Sequence, residues 1–124
     1  MSASEFSLPA SLRLPLRFCV SAYTLFIVWA SLRPAGTGGA VPHLDKVLHF
    51  LVYAALSFGI CFAWARLPKL RVFWLCAIFG AGLEVAQGLF TAGRMASGWD
   101  GLANSAGAAI GVMMALWIAR KLAR

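Results

Sequence analysis

Four apolar stretches, each close to twenty residues long, take up most of this chain. They cover residues 14–32, 47–65, 72–92 and 102–119. A helix needs about 20 apolar residues to cross about 30 Å of hydrocarbon. Backbone amides and carbonyls in lipid have no water to bond, so a single spanning segment must be helical. A strand barrel would need apolar and polar residues in alternation, and the segments show none. The sequence therefore predicts an all-α membrane protein, a four-transmembrane-helix bundle. Composition points the same way. Of the 124 residues, 61% are hydrophobic and 12% charged, whereas charged residues make up roughly a quarter of a soluble domain. Too few polar residues remain to cover a soluble domain of this size.

The connections are short and leave no room for a second domain. Residues 1–13 read as a flexible start and 14–124 as a single membrane domain. The first connection holds Pro34, Gly36, Gly38, Gly39 and Pro42 and is expected to be irregular, with residues 34–44 tolerant of a small insertion. The second is a basic turn with Pro68, and the third covers residues 93–101. The first apolar segment is longer than a signal-peptide core, and Arg33-Pro34 is a poor cleavage context, so the segment reads as a retained helix.

Basic residues set the expected orientation. Arg13, Arg17, Arg66, Lys69, Arg71, Arg120, Lys121 and Arg124 fall at one side of the bundle, against Arg33, Lys46 and Arg94 at the other. Positive charge is retained in the cytoplasm. Both termini are thus expected to be cytoplasmic, in the inner membrane of a bacterium. The net charge of +7 then serves topology and anionic head groups. Nucleic acid is not expected as a partner, because no basic run alternates with exposed aromatics and no nucleic-acid motif appears. Cys19, Cys61 and Cys76 lie inside apolar segments without metal-ligand spacing and read as packing residues.

The polar residues inside the apolar segments carry the functional signal. A charge at a helix centre costs about 2.5–3.5 kcal/mol on insertion scales, so such residues are functional candidates by default. Asp45, His49 and Tyr53 recur every four residues and share one helix face, which Ser57 continues. Glu84 and Gln87 share a face of the third helix, and Gly80 and Gly88 flank Glu84 so that a neighbour can approach. Arg94 and Ser97 follow in the loop. Ser97 suits a helix cap, which puts Asp100 in the first turn and Asn104 on the same face. All of these groups are expected in the outer half of the bundle, around one cavity.

Each residue also has a purely structural use. Glu84 could pair with Arg94 or His49 to lock helices, Asp45 could cap the second helix, and Asn104 could bond across an interface for about 1 kcal/mol. Gly107 and Gly111 form a small-xxx-small pair suited to tight packing within the chain, in a homo-oligomer, or against a membrane partner.

Taken in order, these residues resemble a known family. Asp45-Lys46-Val47-Leu48-His49, Tyr53, Glu84-Val85-Ala86-Gln87, Gly93-Arg94 with Ser97, Asp100 and Asn104, and Gly107-Ala108-Ala109-Ile110-Gly111 are similar to the VanZ-like membrane proteins. The match covers about residues 45–111. Ala92 departs from it, since many members carry Pro before the Gly-Arg pair. The resemblance implies a four-helix bacterial membrane protein. The member that gives the family its name is associated with resistance to glycopeptides of the teicoplanin kind. Similarity to a wider group of membrane enzymes implies action on phosphate-bearing lipid head groups.

The expected function is therefore action on a phosphate-bearing lipid or lipid-linked cell-envelope precursor, by hydrolysis or head-group transfer. Arg94 would hold phosphate through its planar fork. His49 would act as base or nucleophile, oriented by Asp45 or Glu84, with Glu84 and Asp100 as further catalytic groups. Gln87, Asn104, Tyr53, Ser97 and Lys46 would contact substrate. No cofactor is expected. Asp45, His49, Glu84 and Asp100 are potential ligands, but their spacing along the chain matches no standard metal signature, so no metal is assigned. The alternatives are a non-catalytic binder of lipid head groups in an antibiotic response, and a helper subunit that docks through Gly107 and Gly111.

Overall fold

A computed structural model describes residues 8–34, 36, 41 and 43–123. It contains four helices: α1 (Ala10–Ser31), α2 (Leu44–Ala63), α3 (Lys69–Phe90) and α4 (Gly98–Leu122). All four are long and apolar enough to cross a membrane. The helices extend beyond the apolar stretches at their amino-terminal ends. Hydrophobicity marks the part immersed in lipid, whereas a helix continues into polar residues until its terminal N–H groups find an exit. Pro9 and Pro68 stand just before α1 and α3, where a missing N–H costs nothing. The start of the chain needs correction accordingly: residues 10–13 belong to α1, and residues 1–7 lie outside the described residues. The insertion-tolerant stretch 34–44 also falls largely there, at 35, 37–40 and 42.

The bundle is organised around α2 and α4, which pack most closely of all pairs. Gly107 and Gly111 are buried and face the α2 backbone at Phe50 and Ala54. Ser57 Oγ donates across the same contact to the Ala108 carbonyl at 2.9 Å. Of the uses the sequence offered for Gly107 and Gly111, tight packing within the chain is the one seen. Their face is already occupied by α2, because only a helix without Cβ atoms lets the partner backbone come so near. The Cys61, Cys76, Val72, Ala108 and Ala115 side chains fill the interior beneath. Helix α1 lies against α2, with the Tyr23 hydroxyl donating to the Val52 carbonyl at 3.1 Å and Arg17 Nε to the Ala63 carbonyl at 2.9 Å.

The outward faces are apolar. Leu25, Ile78, Leu89 and Trp117 are each more than three-fifths exposed. Apolar surface on this scale is incompatible with water and suits lipid. The chain is a multi-pass membrane protein.

Candidate functional site

The four helices alternate in direction, so the C-terminal end of α3 meets the N-terminal ends of α2 and α4. The polar residues of the apolar segments collect at this end. Their positions follow from local structure. Ser97 caps α4, accepting from the Asp100 N–H at 3.3 Å, and thereby fixes the turn on which Asp100 and Asn104 sit. Gly93 supplies the left-handed backbone (φ 74) that lets the chain reverse after α3. Arg94 follows it, its N–H donating to the Thr91 carbonyl at 3.2 Å. Gly80 leaves space on α3 for the Asn104 and Tyr53 side chains, each 3.0 Å from where a Cβ would stand. Gly88 does the same for Ala96 of the loop. The close approach expected beside Glu84 is thus real at both glycines.

His49 is the centre of the arrangement. Its Nδ1 lies 2.9 Å from Asn104 Oδ1. An amide oxygen only accepts, so Nδ1 carries a proton, and in the neutral ring the lone pair is on Nε2. Nε2 is 3.9 Å from Asp100 Oδ2, and Nδ1 is 3.6 Å from Glu84 Oε1. The Glu84 side chain is 8% exposed, and Oε2 accepts from the Ser97 N–H at 3.2 Å. Asp100 Oδ1 is bonded by Lys46 Nζ at 3.1 Å. Three helices therefore place an imidazole and two carboxylates around one point. His49, Glu84 and Asp100 each offer one ligand atom within 4.8 Å of the others, a separation that one divalent cation could bridge.

Beside this cluster is a cavity of about 380 Å³ between α1, α2 and α3. His49, Tyr53, Gln87 and Arg94 line it together with apolar side chains of α1 and α2, among them Phe26, Ile27, Leu48 and Val52. Arg94 makes no ion pair among the described residues, and its Nε is buried without a hydrogen-bond partner, as is Thr91 Oγ1. The structural use of Glu84 as a partner for Arg94 is therefore not realised.

Of the ten residues singled out in the sequence, nine lie in or around this region. His49, Glu84, Asp100, Asn104 and Ser97 form the bonded cluster, with Lys46 at its edge. Tyr53 and Arg94 face the cavity. Gln87 does too, and its amide donates to the Ser31 carbonyl at 2.9 Å, tying α1 to α3. Asp45 departs from the expectation. Its side chain is 57% exposed and bonds Lys46 at 3.1 Å, and it forms no cap hydrogen bond at the start of α2. Four-residue spacing put it on the His49 face, but one turn further out, past the helices that enclose His49. Among the described residues, the hydrogen bond that orients His49 is made with Asn104 instead. The cavity wall from α1 had no signal in the sequence, since Phe26, Ile27 and Ala30 look the same whether they face lipid or a cavity.

The model of the family described as VanZ/LLP1 matches residues 4–120, nearly the whole chain. No curated protein and no solved structure gives a significant match.

Proposed function

The chain belongs to the VanZ/LLP1 family, and from that premise we propose that it acts on a phosphate-bearing lipid or lipid-linked cell-envelope precursor in the outer leaflet of a bacterial inner membrane. The reaction is hydrolysis or head-group transfer at phosphate. The observation that carries this reading is that Arg94, without an ion pair among the described residues, and His49 of the acid–base cluster line one largely apolar cavity of about 380 Å³. Apolar side chains of α1 and α2 would hold the start of an acyl or prenyl chain. Arg94 would take the phosphate at the mouth, where a guanidinium bonds two oxygens at once.

His49 then has the geometry of a general base or nucleophile. Its Nε2 lone pair is unused by Asn104, and the neighbouring carboxylates favour the imidazolium that forms after it takes a proton. His49 then returns that proton to the leaving oxygen, and Glu84, held by the Ser97 N–H, stabilises the imidazolium in between. Asn104 fixes the ring orientation. Orientation in the membrane follows from charge. Arg13, Arg17, Arg66 and Arg71 line a second cavity of about 410 Å³ around the α2–α3 turn, at the end opposite the His49 cluster. Retention of that end in the cytoplasm puts both termini inside and His49 toward the outer leaflet.

The test is direct. Wild-type and Glu84→Gln protein are reconstituted separately with total bacterial lipid and with polyprenyl phosphates and diphosphates. Lipids and released phosphate compounds are compared by mass spectrometry. A product formed by wild type and not by Glu84→Gln is the expected result. Lipid retained unchanged by both folded proteins would assign the cavity to binding and reject catalysis.

A further inference from the structure

We propose that His49, Glu84 and Asp100 form a site for one divalent first-row transition-metal ion, zinc or manganese in class. The argument rests on how each side chain divides its two polar atoms. Glu84 Oε2 is held by the Ser97 N–H, and Asp100 Oδ1 by Lys46 Nζ. The His49 Nδ1 proton is directed to Asn104 Oδ1. One atom of each residue is thus fixed by an outer partner, which leaves Nε2 and Asp100 Oδ2, 3.9 Å apart, and Glu84 Oε1, which lies against the ring 3.6 Å from Nδ1; one ligand atom of each residue is within 4.8 Å of the others. An imidazole whose second nitrogen bonds an amide oxygen, beside carboxylates that are themselves bonded, is the outer-shell pattern that orients metal ligands.

Distances and charge agree with this. Nε2 and Asp100 Oδ2 are 3.9 Å apart, too far to hydrogen-bond yet able to share an ion. With side chains 8% and 15% exposed, Glu84 and Asp100 bring two negative charges toward one point, and Lys46 offsets only one of them. A divalent cation relieves that repulsion in a low-dielectric setting. One nitrogen and two carboxylate oxygens suit zinc or manganese, and three protein ligands leave a position open on the ion. The expectation of no metal rested on spacing along single segments, whereas these ligands come one from each of α2, α3 and α4. What the ion would do depends on the phosphate-lipid reading: it would occupy the Nε2 lone pair that His49 otherwise uses as base or nucleophile, and would supply positive charge for phosphate oxygens in its place. The ion site itself stands on the geometry alone.

The experiment is equilibrium dialysis of the purified full chain in detergent against ZnCl2 or MnCl2, with MgCl2 as the comparison, and metal content read by mass spectrometry. Wild type should retain about one zinc or manganese ion per chain after a desalting step. Glu84→Gln and Asp100→Asn should each bind at least about tenfold more weakly. If either variant does not fold, zinc-loaded wild type is examined by X-ray absorption, where imidazole scattering with oxygen neighbours is expected. Equal metal retention by wild type and both folded variants, or a zinc spectrum without imidazole, overturns the site. Turnover of lipid phosphate by protein stripped of metal would leave the phosphate-lipid reading in place and reject a metal requirement.

Discussion

Adding a single methyl group at Gly107 should damage both fold and site, while the same change at Gly82 should not. A Cβ at Gly107 would strike the carbonyl of Phe50, and one at Gly111 would strike the Ala54 carbonyl and Ser57 Oγ. Backbone cannot rotate away as a side chain can, so α4 must retreat from α2 by roughly 1 Å. The Ser57–Ala108 and His49–Asn104 bonds, both 2.9 Å, would then pass beyond hydrogen-bonding range. Overpacking costs about 1–3 kcal/mol, and each interhelical bond in a membrane protein is worth about 0.6 kcal/mol. Gly107→Ala should therefore destabilise the chain by about 2–4 kcal/mol. Nothing lies within 4 Å of a Cβ at Gly82, which is in the interior of α3. Gly82→Ala should be neutral or gain up to about 1 kcal/mol from helix propensity. Equilibrium unfolding in mixed dodecylmaltoside and SDS micelles, followed by circular dichroism, measures both. A Gly107→Ala protein within about 0.5 kcal/mol of wild type would refute the close α2–α4 contact and with it the placement of Asn104 on His49.

Glu84→Gln should lower lipid turnover by about 10²–10⁴-fold while changing stability by no more than about 1 kcal/mol, because the amide oxygen can still accept from the Ser97 N–H; initial rates and micelle unfolding on the same preparations check both halves. Arg94→Lys keeps the charge and loses the bidentate fork, so KM for the phosphate lipid should rise about tenfold, and an unchanged KM would remove Arg94 from phosphate binding. Asp45→Asn should leave turnover within about twofold of wild type, since the Asp45 side chain is 57% exposed and bonds only Lys46; a large loss in the same assay would return Asp45 to the site. Replacing Arg66 and Arg71 together by Glu should disturb the orientation that basic residues set, read by the accessibility of a cysteine placed in the α3–α4 turn.

What could be read from the sequence divides along a physical line. The four spans are set by a solvent that accepts only apolar helices, so segments of the right length are enough to find them. The meeting of Glu84, Asp100 and His49 at one end of the bundle followed from counting residues from each helix end. Helical periodicity also gave the Asp100–Asn104 face and the Ser97 cap, because both are local to α4. Contacts between helices were less accessible. Periodicity fixes which residues of one helix share a face, but not which neighbour covers that face. Asp45 shows this limit: it is on the right stripe of α2, one turn beyond the cover that α3 and α4 provide. Gly107 and Gly111 show it too, since a small-xxx-small pair marks close packing without naming the partner. The α1 side of the cavity was hidden for a further reason. In lipid, an apolar residue facing outward and one facing a cavity are chemically alike.

The tight α2–α4 contact and the polar cluster are parts of one device. A buried carboxylate such as Glu84 is costly in a membrane unless donors reach it, and donors reach it only if the helices that carry them are held close. Gly107 and Gly111 bring α4 against α2 three and seven residues beyond Asn104, so small errors in packing there translate directly into the His49 distances. Gly80 and Gly88 perform the same service on α3, for Asn104 and for Ala96 next to Ser97. A site built this way needs no large domain. It does require that the glycine positions and the polar positions change together, because a methyl group on the first would leave a charge without partners on the second.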